Sequence, residues 1–224
     1  MLNKKKKKIL IVMPKFPYPA TGACEQDRMT GLEIFGKFGY EIKVIAKTIK
    51  GRMEDAKKIG QDMGIEVFPV SYKFKRDIKR FFNPLYWDGA SYEYRDEEIV
   101  DVLNKQLNSF KPDVVWFEYT YLWPLYSIAR KQNIPIVTRS INFEPTHFLE
   151  EDGYSFFNIL KFPFKFISEI LTASRSDFLF SITPKEEKTY RRLGVKNIAN
   201  LPLRGLCKYI GKGPEILQIG RAHV

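Results

Sequence analysis

The chain has few of the residues that most often build covalent or metal-centred sites. Its 224 residues include two cysteines and two histidines. Cys24 and Cys207 are far apart and lack the short spacing typical of metal ligands. So few cysteines indicate a reducing compartment rather than a disulfide framework. We therefore expect a cytoplasmic protein that needs no metal and no other cofactor.

Long hydrophobic runs are missing as well. The first apolar stretch, ILIVM at 9–13, ends at Pro14. It is shorter than the ~7 to 15 apolar residues of a signal-peptide core. It is also far shorter than the ~20 residues that span a bilayer. A hydrophobic content of 44% with 28% charged residues is typical of globular proteins, so we expect a soluble folded chain.

Acidic residues are outnumbered by basic ones, 26 to 37, and the formal net charge is +11 at pH 7. Five of the positive charges form a lysine run at 4–8, which we interpret as the end of a basic, flexible N-terminus at 1–8. Such charge can attract nucleic acid or an anionic membrane. Because the sequence has no recognisable recognition helix, zinc knuckle or RNP-type strand, we expect no nucleic-acid partner.

Apolar segments rich in β-branched and aromatic residues recur along the chain and predict strands. They lie at 9–13, 41–46, 65–70, 113–119, 134–138, 177–183 and 197–203. Helical patterns separate them. Strands that alternate with helices predict an α/β fold with a doubly wound, mostly parallel, Rossmann-like sheet.

Two of the helices between these strands can be predicted from local sequence. In one, Thr183 fits the N-cap, Pro184 the first helical position and Glu186 the capping box. The segment at 122–133 is also predicted to be a helix.

The opening segment, KILIVMPKFPYPATGACEQDRMTGLEIFGKFGYEIKVIA at 8–46, resembles that of family 4 glycosyltransferases of the GT-B fold. Later segments at 111–125, 134–151 and 175–202 resemble successive units of the same family. The resemblance implies a nucleotide-sugar-dependent enzyme with two Rossmann-like domains facing across a cleft. It implies that residues 9–205 are the N-terminal, acceptor-side domain. Its partners would be a nucleotide-sugar donor and a cell-envelope glycan, polysaccharide or lipid-linked acceptor.

Gly22 lies in the loop that follows the first strand. In the resembled family this loop lies beside the donor diphosphate, and a glycine there lets the backbone approach a phosphate closely. The alternative is a tight turn that needs glycine for its φ angle alone. Glu25, in the same segment, would be unfavourable facing phosphates, so we expect it to cap the helix or to contact the acceptor.

The segment TRSINFEPTHF at 138–148 collects polar residues after a predicted strand. Related enzymes often carry His-Asn-x-Glu here; Asn142 and Glu144 match, and Ile141 replaces the histidine. We predict that Arg139 and Asn142 bind substrate and that Glu144 is catalytic. His147 is a second catalytic candidate, although a lone histidine is more often structural.

Glu118 stands at the end of another predicted strand. We predict that it binds substrate, with capping of the next turn as the alternative.

Two segments, at 72–82 and 154–170, interleave lysine and arginine with aromatic residues. This composition suits peripheral contact with an anionic membrane. The alternative is an ordinary helix whose apolar side chains pack inward, with Phe166, Ile167, Ile170 and Leu171 as its buried face.

The C-terminal segment resembles the start of a second domain, because EILQIGR at 215–221 is similar to the family's next strand. We therefore assign 206–218 to a linker or second-domain start. The last six residues, IGRAHV at 219–224, match the translation of a common sequencing adapter, so we interpret them as an artefact without function. We expect the fragment alone to be inactive. A nucleotide-sugar epimerase relative and a non-catalytic binding half-domain are the alternatives.

Overall fold

The structure, a computed structural model, describes residues 6–72, 82–84 and 87–205. Most of the lysine run, nearly all of the basic aromatic segment at 72–82 and the predicted features at 206–218 and 219–224 lie outside the described residues.

Seven strands form one parallel sheet in the described part of the chain. They are β1 (Lys8–Met13), β2 (Glu41–Thr48), β3 (Glu66–Ser71), β4 (Val114–Phe117), β5 (Ile136–Arg139), β6 (Phe178–Ser181) and β7 (Ile198–Asn200). Their order is β3-β2-β1-β4-β5-β6-β7. All neighbouring strands are parallel, which confirms the predicted doubly wound sheet. The order reverses between β1 and β4, and ligands of open α/β sheets bind in the crevice at such a switch point.

Helices connect the strands. The α-helices are α1 (Ala23–Lys37), α2 (Met53–Asp62), α3 (Gly89–Tyr92), α4 (Glu97–Phe110), α5 (Tyr126–Arg130), α6 (Glu144–Asp152), α7 (Phe156–Arg175) and α8 (Pro184–Arg192). Shorter 3-10 helices cover Lys50–Arg52, Glu93–Arg95 and Thr120–Leu125.

The strands at the centre of the sheet are buried on both faces. In β1, Leu10 and Val12 pack into one apolar cluster, whereas Ile11 and Met13 pack into the other. Register places Ile11 between Val44 of β2 and Trp116 of β4. Continuous apolar runs of this kind are expected where helices cover both faces of a parallel sheet.

The predicted start of α8 is confirmed. The Thr183 hydroxyl accepts a hydrogen bond from the Glu186 amide at 3.2 Å, and the Glu186 carboxylate accepts one from the Thr183 amide, also at 3.2 Å. The prediction for 122–133 was right only in part, because its first turns are the 3-10 helix that contains Pro124. Proline lacks the amide hydrogen that a continuous α-helix would use, and α5 begins only at Tyr126.

The predicted buried face of α7 was right only in part, because Phe166 and Leu171 are partly buried against apolar clusters and the two isoleucines are not. Ile167 and Ile170 are 41% and 39% exposed. The buried residues of this helix are Ser168, Glu169, Thr172 and Ala173. Polar side chains face inward because they have hydrogen-bond partners there: the Thr172 hydroxyl donates to the Thr120 carbonyl, and the Ser168 hydroxyl donates to Asp88 at 2.7 Å.

Within the described residues, no helix is both long enough and apolar enough to cross a bilayer.

Candidate functional site

The loops that follow β1, β4 and β5 lie at one edge of the sheet, beside the switch point. Gly22 is the N-cap of α1 at the end of the first loop, with φ −99° and ψ 162°. Any residue can adopt these angles, so the proposal that this turn needs glycine for its φ angle was wrong. A Cβ atom at position 22 would instead collide with the Glu25 carboxylate, which folds back over the glycine.

Glu25 does not cap α1, since the N-cap of this helix makes no side-chain hydrogen bond. Its carboxylate pairs with Lys15 of the β1 loop at 3.3 Å. The capping alternative was therefore wrong, and contact between Glu25 and an acceptor stays a prediction.

Glu118 and Arg139 belong to a buried network of four charges. Its other members are Asp27 of α1 and Arg204, and all four side chains are at least nine-tenths buried. Arg139 forms a bidentate pair with Asp27 and lies 3.4 Å from Glu118. Arg204 Nη2 donates to Asp27 Oδ2 at 3.0 Å and to Glu118 Oε1 at 2.9 Å. Two carboxylates and two guanidiniums thus balance one another.

The network stays ionised at neutral pH. Burial by itself raises the pKa of Asp27 and Glu118, but the charges of Arg204 and Arg139 more than offset it and hold both pKa values below their usual range. Glu118 also accepts a hydrogen bond from the Trp116 indole at 2.9 Å. These contacts tie α1 to β4 and β5. Substrate binding by Glu118 and Arg139 stays a prediction, because their contacts in this structure are with protein groups.

Glu144 begins α6 and lines a small cavity. Its Oε1 accepts a hydrogen bond from the Tyr119 hydroxyl. Burial raises the pKa of this carboxyl, although Tyr119 and the nearby Lys165 oppose the shift. The other lining residues come from α7 and from the segments before α3 and after β4; they are Asp88, Thr120, Tyr121, Lys165, Ser168 and Glu169. A carboxyl with a raised pKa in a cavity is suited to proton transfer.

His147 lies one turn further along α6. Its Nε2 is 3.2 Å from Glu151 Oε1, and about a third of the side chain is exposed. The structure therefore pairs this histidine with Glu151 on the helix surface rather than with Glu144. Asn142 is half-buried, and its backbone carbonyl accepts a hydrogen bond from the Ser140 hydroxyl at 2.8 Å. Roles for Asn142 in binding and for His147 in catalysis stay predictions.

Glu169 of α7 was missed in the sequence, although it adjoins Glu144 in the cavity. Burial raises its pKa to about 8. A chain of hydrogen bonds leads away from the Glu169 carboxyl group. The Tyr190 hydroxyl contacts both Glu169 and the Ser140 hydroxyl, and the Ser140 hydroxyl donates to the Asn142 carbonyl. Each hydroxyl has one proton to donate. All the bonds are satisfied at once only if Glu169 is protonated and donates to Tyr190, which agrees with its raised pKa.

Other residues were also missed, and a local signal could have revealed one of them. Arg28 lies one turn before Leu32 on the same face of α1, where helical spacing predicts burial. Charged residues on a buried face are unusual. Arg204 and Glu169 had no comparable local signal, because their partners are distant in the sequence.

Among the residues that the structure describes, no group of three or more histidine, cysteine, aspartate or glutamate side chains is arranged to hold a metal ion. The absence of a metal requirement stays a prediction.

Comparisons with known proteins identify the fold. No family model matches this sequence, and no curated protein matches it either. Solved structures do match. UDP-GlcNAc 2-epimerase from Methanocaldococcus jannaschii has a TM-score of 0.55 at 15% identity, covering 95% of this chain and 52% of its own. UDP-GlcNAc 2-epimerase from Neisseria meningitidis, bound to UDP-GlcNAc, has a TM-score of 0.55 at 15% identity, over 89% of this chain and 47% of its own.

A third similar structure is Arabidopsis thaliana UGT89C1 complexed with UDP-L-rhamnose. Its TM-score is 0.53 at 16% identity, covering 89% of this chain and 52% of that protein. The chain thus spans about half the length of the solved structures it matches. At these identities the likeness concerns the fold: this chain has the Rossmann-like α/β architecture found in one half of GT-B glycosyltransferase-fold proteins.

Proposed function

We propose that this chain is the acceptor-side half of a nucleotide-sugar-dependent glycosyltransferase that acts on a cell-envelope or polysaccharide acceptor. The observation that carries the proposal is the edge of the sheet at the β1/β4 switch point. There the N-terminus of α1 and the loops after β4 and β5 bring Gly22, Glu144 and the neighbouring tyrosines to one side of the molecule. Neighbours with this fold bind UDP-sugars, which supports a nucleotide-sugar donor.

In this proposal Gly22 borders the donor phosphates and Glu144 serves the acceptor hydroxyl. The α1 N-terminus offers unpaired backbone amides to negative charge. Glu144, with its raised pKa and its tyrosine partner, is suited to hold or accept a proton from a hydroxyl. We further propose that residues 206–218 lead into a second, donor-binding domain, so that catalysis needs both sides of the cleft.

A nucleotide-sugar epimerase is the second candidate, because two of the similar structures are UDP-GlcNAc 2-epimerases. The two reactions differ in their products. A transferase releases a nucleoside diphosphate and lengthens an acceptor, whereas an epimerase returns an intact nucleotide sugar with one inverted centre.

The test begins by sequencing the source locus beyond codon 218 and expressing the full open reading frame. Incubation with a panel of nucleotide sugars and membrane or glycan extracts is then followed by chromatography of the nucleotides. Nucleoside diphosphate release that depends on the acceptor supports the transferase. An epimerised nucleotide sugar without release supports the second candidate, and a stop codon after Val224 would overturn the two-domain proposal.

Within an active transferase, the variant Glu144→Gln tests the catalytic assignment. Proton transfer by a positioned side chain contributes on the order of 10²-fold or more, so we expect kcat to fall by about that factor. The matched variant is Glu150→Gln on the exposed side of the same helix, which should keep full activity. Equal activity of both variants would remove Glu144 from the mechanism.

We also propose that the N-terminal half of α7 contacts an anionic membrane. Tyr154, Phe156 and Phe157 are each 72% exposed, and Ile159 and Leu160 are each 53% exposed. Lys161 lies beside them on the same exposed turn. Clustered aromatic and aliphatic side chains next to a cation suit a bilayer interface.

Co-sedimentation with vesicles of phosphatidylglycerol and phosphatidylcholine tests this contact. We expect binding that needs phosphatidylglycerol and weakens with salt. The double variant Phe156→Ser, Phe157→Ser should lose it, whereas Phe38→Ser, which removes a 76% exposed phenylalanine elsewhere, should not. Binding to pure phosphatidylcholine by all three proteins would contradict the proposal.

A further inference from the structure

Arg28 of α1 is a buried cation that forms no ion pair with any residue that the structure describes, although its charge acts on the nearby Glu118 carboxylate. It is 6% exposed, and its Nε is buried without a hydrogen-bond partner. Its guanidinium makes no hydrogen bond or ion pair with any residue in the described ranges. The adjacent Asp27 is fully engaged by Arg139 and Arg204. Burying a charged group without hydrogen-bond partners is unfavourable, so a cation kept in this state calls for an explanation.

Tyrosines surround this guanidinium. Its central carbon lies 5.8 Å from the centre of the Tyr119 ring, and that ring is 4.2 Å from the ring of Tyr121. Tyr94 stacks on Tyr121 at 5.6 Å. The hydroxyls of Tyr72 and Tyr94 both donate to the Pro14 carbonyl at 3.0 Å. The group therefore lies where the loops after β1, β3 and β4 meet.

The tyrosines are neutral near pH 7. Burial raises the pKa of Tyr72 to about 12, and it also raises the pKa of Tyr94, Tyr119 and Tyr121. The positive charge of Arg28 opposes the shift in all four, which puts it within electrostatic reach of each ring. Tyr121 is half-buried, and its hydroxyl has no hydrogen-bond partner among the described residues. An unused phenol donor thus lies near an unused guanidinium.

Arg28 is separate from the Gly22 end of the helix. Six residues along an α-helix correspond to about 9 Å. The Glu25 carboxylate lies over Gly22 and is paired with Lys15. A phosphate at the N-terminus of α1 would therefore leave the Arg28 position open for a second group.

We propose that Arg28 and Tyr121 bind an anionic group of the acceptor, a phosphate or carboxylate carried on a hydroxylated ring that stacks against the tyrosines. Guanidinium suits this task because its planar donors match two oxygens of such an anion. Neutral aromatic faces beside it suit the apolar face of a sugar or polyol ring. The inference rests on the proposed function, since it names the substrate class of that same site.

Calorimetric titration of the 224-residue chain with four probes at constant ionic strength tests the inference. The probes are glucose 1-phosphate, glucuronate, inorganic phosphate and neutral glucose. We expect glucose 1-phosphate or glucuronate to bind at least tenfold more tightly than glucose. Tighter binding of glucose 1-phosphate than of inorganic phosphate would show that the ring is recognised, and equal binding of the two would contradict the stacked ring.

Variants locate the site. Arg28→Met should weaken binding of the anionic sugar at least tenfold, and Arg28→Lys should lose less. The matched control is Arg192→Met, which removes an exposed arginine from α8. Unchanged binding by Arg28→Met, or no binding of either anionic sugar to the original chain, would overturn the inference.

Thermal unfolding separates a binding role from a structural one. If Arg28 serves a ligand, Arg28→Met removes an unpaired buried charge and leaves Tm unchanged or higher. If Arg28 instead supports the tyrosine cluster, Tm falls. Because these experiments measure binding and not transfer, anion binding without transfer by the full open reading frame would count against the proposed function alone.

Discussion

Asp27 and Arg28 are neighbours on α1, and their surroundings differ sharply. Asp27 is 0% exposed and contacts two guanidiniums, whereas Arg28 is nearly as buried and pairs with no carboxylate among the described residues. The first is part of a balanced network that holds helix and sheet together. The second has no hydrogen bond or ion pair with any residue in the described part of the chain. The comparison teaches that burial alone does not show how a charge is held in the fold; the completeness of its hydrogen bonding does.

The largest effect should come from unbalancing the network. Arg139→Met would leave Asp27 and Glu118 buried with one guanidinium, so we expect a loss of about 3–5 kcal/mol in the free energy of unfolding, measured by urea denaturation. The control is Arg130→Met, which breaks an exposed pair with Asp177 and should cost less than about 1 kcal/mol. Similar losses in both variants would mean that the buried network contributes no more to stability than an exposed ion pair does.

The next effect concerns Glu169, a buried acid that is neutral where Asp27 is charged. Its pKa of about 8 lies above the ordinary value of 4.5, so the folded state binds the extra proton between these pH values. Stability should therefore fall as pH rises through this window, by at most about 1.4 kcal/mol per pH unit.

Glu169→Gln keeps a hydrogen-bond donor to Tyr190 and should remove this pH dependence. The variant should therefore become progressively more stable than the original chain as pH rises from 4.5 to about 8. Denaturation curves between pH 5 and 9 measure how stability changes with pH, and Glu150→Gln on the exposed side of α6 is the control.

Asp27 and Glu118 affect the pH dependence of stability in the opposite direction. Because their pKa values are lowered, their contribution is present above the ordinary carboxyl range and is lost as pH falls below it. If stability depended on pH in the same way in Glu169→Gln and in the original chain, Glu169 would not be neutral in the folded protein.

A smaller effect tests how closely Arg204 approaches α1. The guanidinium of Arg204 lies against Gly31, so the Cβ of Gly31→Ala would collide with it. We expect a loss of roughly 1–3 kcal/mol, as for other overpacked sites. Gly36→Ala in the same helix has open space and should gain up to about 1 kcal/mol from helix propensity. Thermal unfolding measures both variants. If both were more stable than the original chain, the Arg204 side chain would have to move away from position 31 at little cost.

The sequence predicted the sheet well because its signal is local. Runs such as ILIVM at 9–13 are apolar at every position, as strands covered on both faces must be. The capping box of α8 lies within four residues and was also predictable. The buried face of α7 was not. Its buried polar residues form hydrogen bonds with Thr120 and Asp88. These partners are distant in the sequence, so no pattern within the helix predicts them.

The candidate site could be predicted only in outline. The segment after β5 was identified from its polar residues, and Glu144 does line a cavity. Glu118 and Arg139 were predicted to bind substrate, which stays a prediction, and the sequence did not indicate that their partners come from positions 27 and 204. A buried ion pair over such separations is a property of the fold, and one sequence does not contain it in readable form.

The link between Asp27 and Arg204 has a consequence for synthesis of the protein. The two residues are 177 positions apart. At about 5–20 residues per second, a ribosome needs roughly 9–35 s to pass from one to the other. Asp27 is made first, Glu118 and Arg139 follow, and Arg204 comes last, so the network is incomplete throughout that interval and the domain cannot reach its final stability. Any shortened version of the chain therefore has to include Arg204 if it is to keep this network complete.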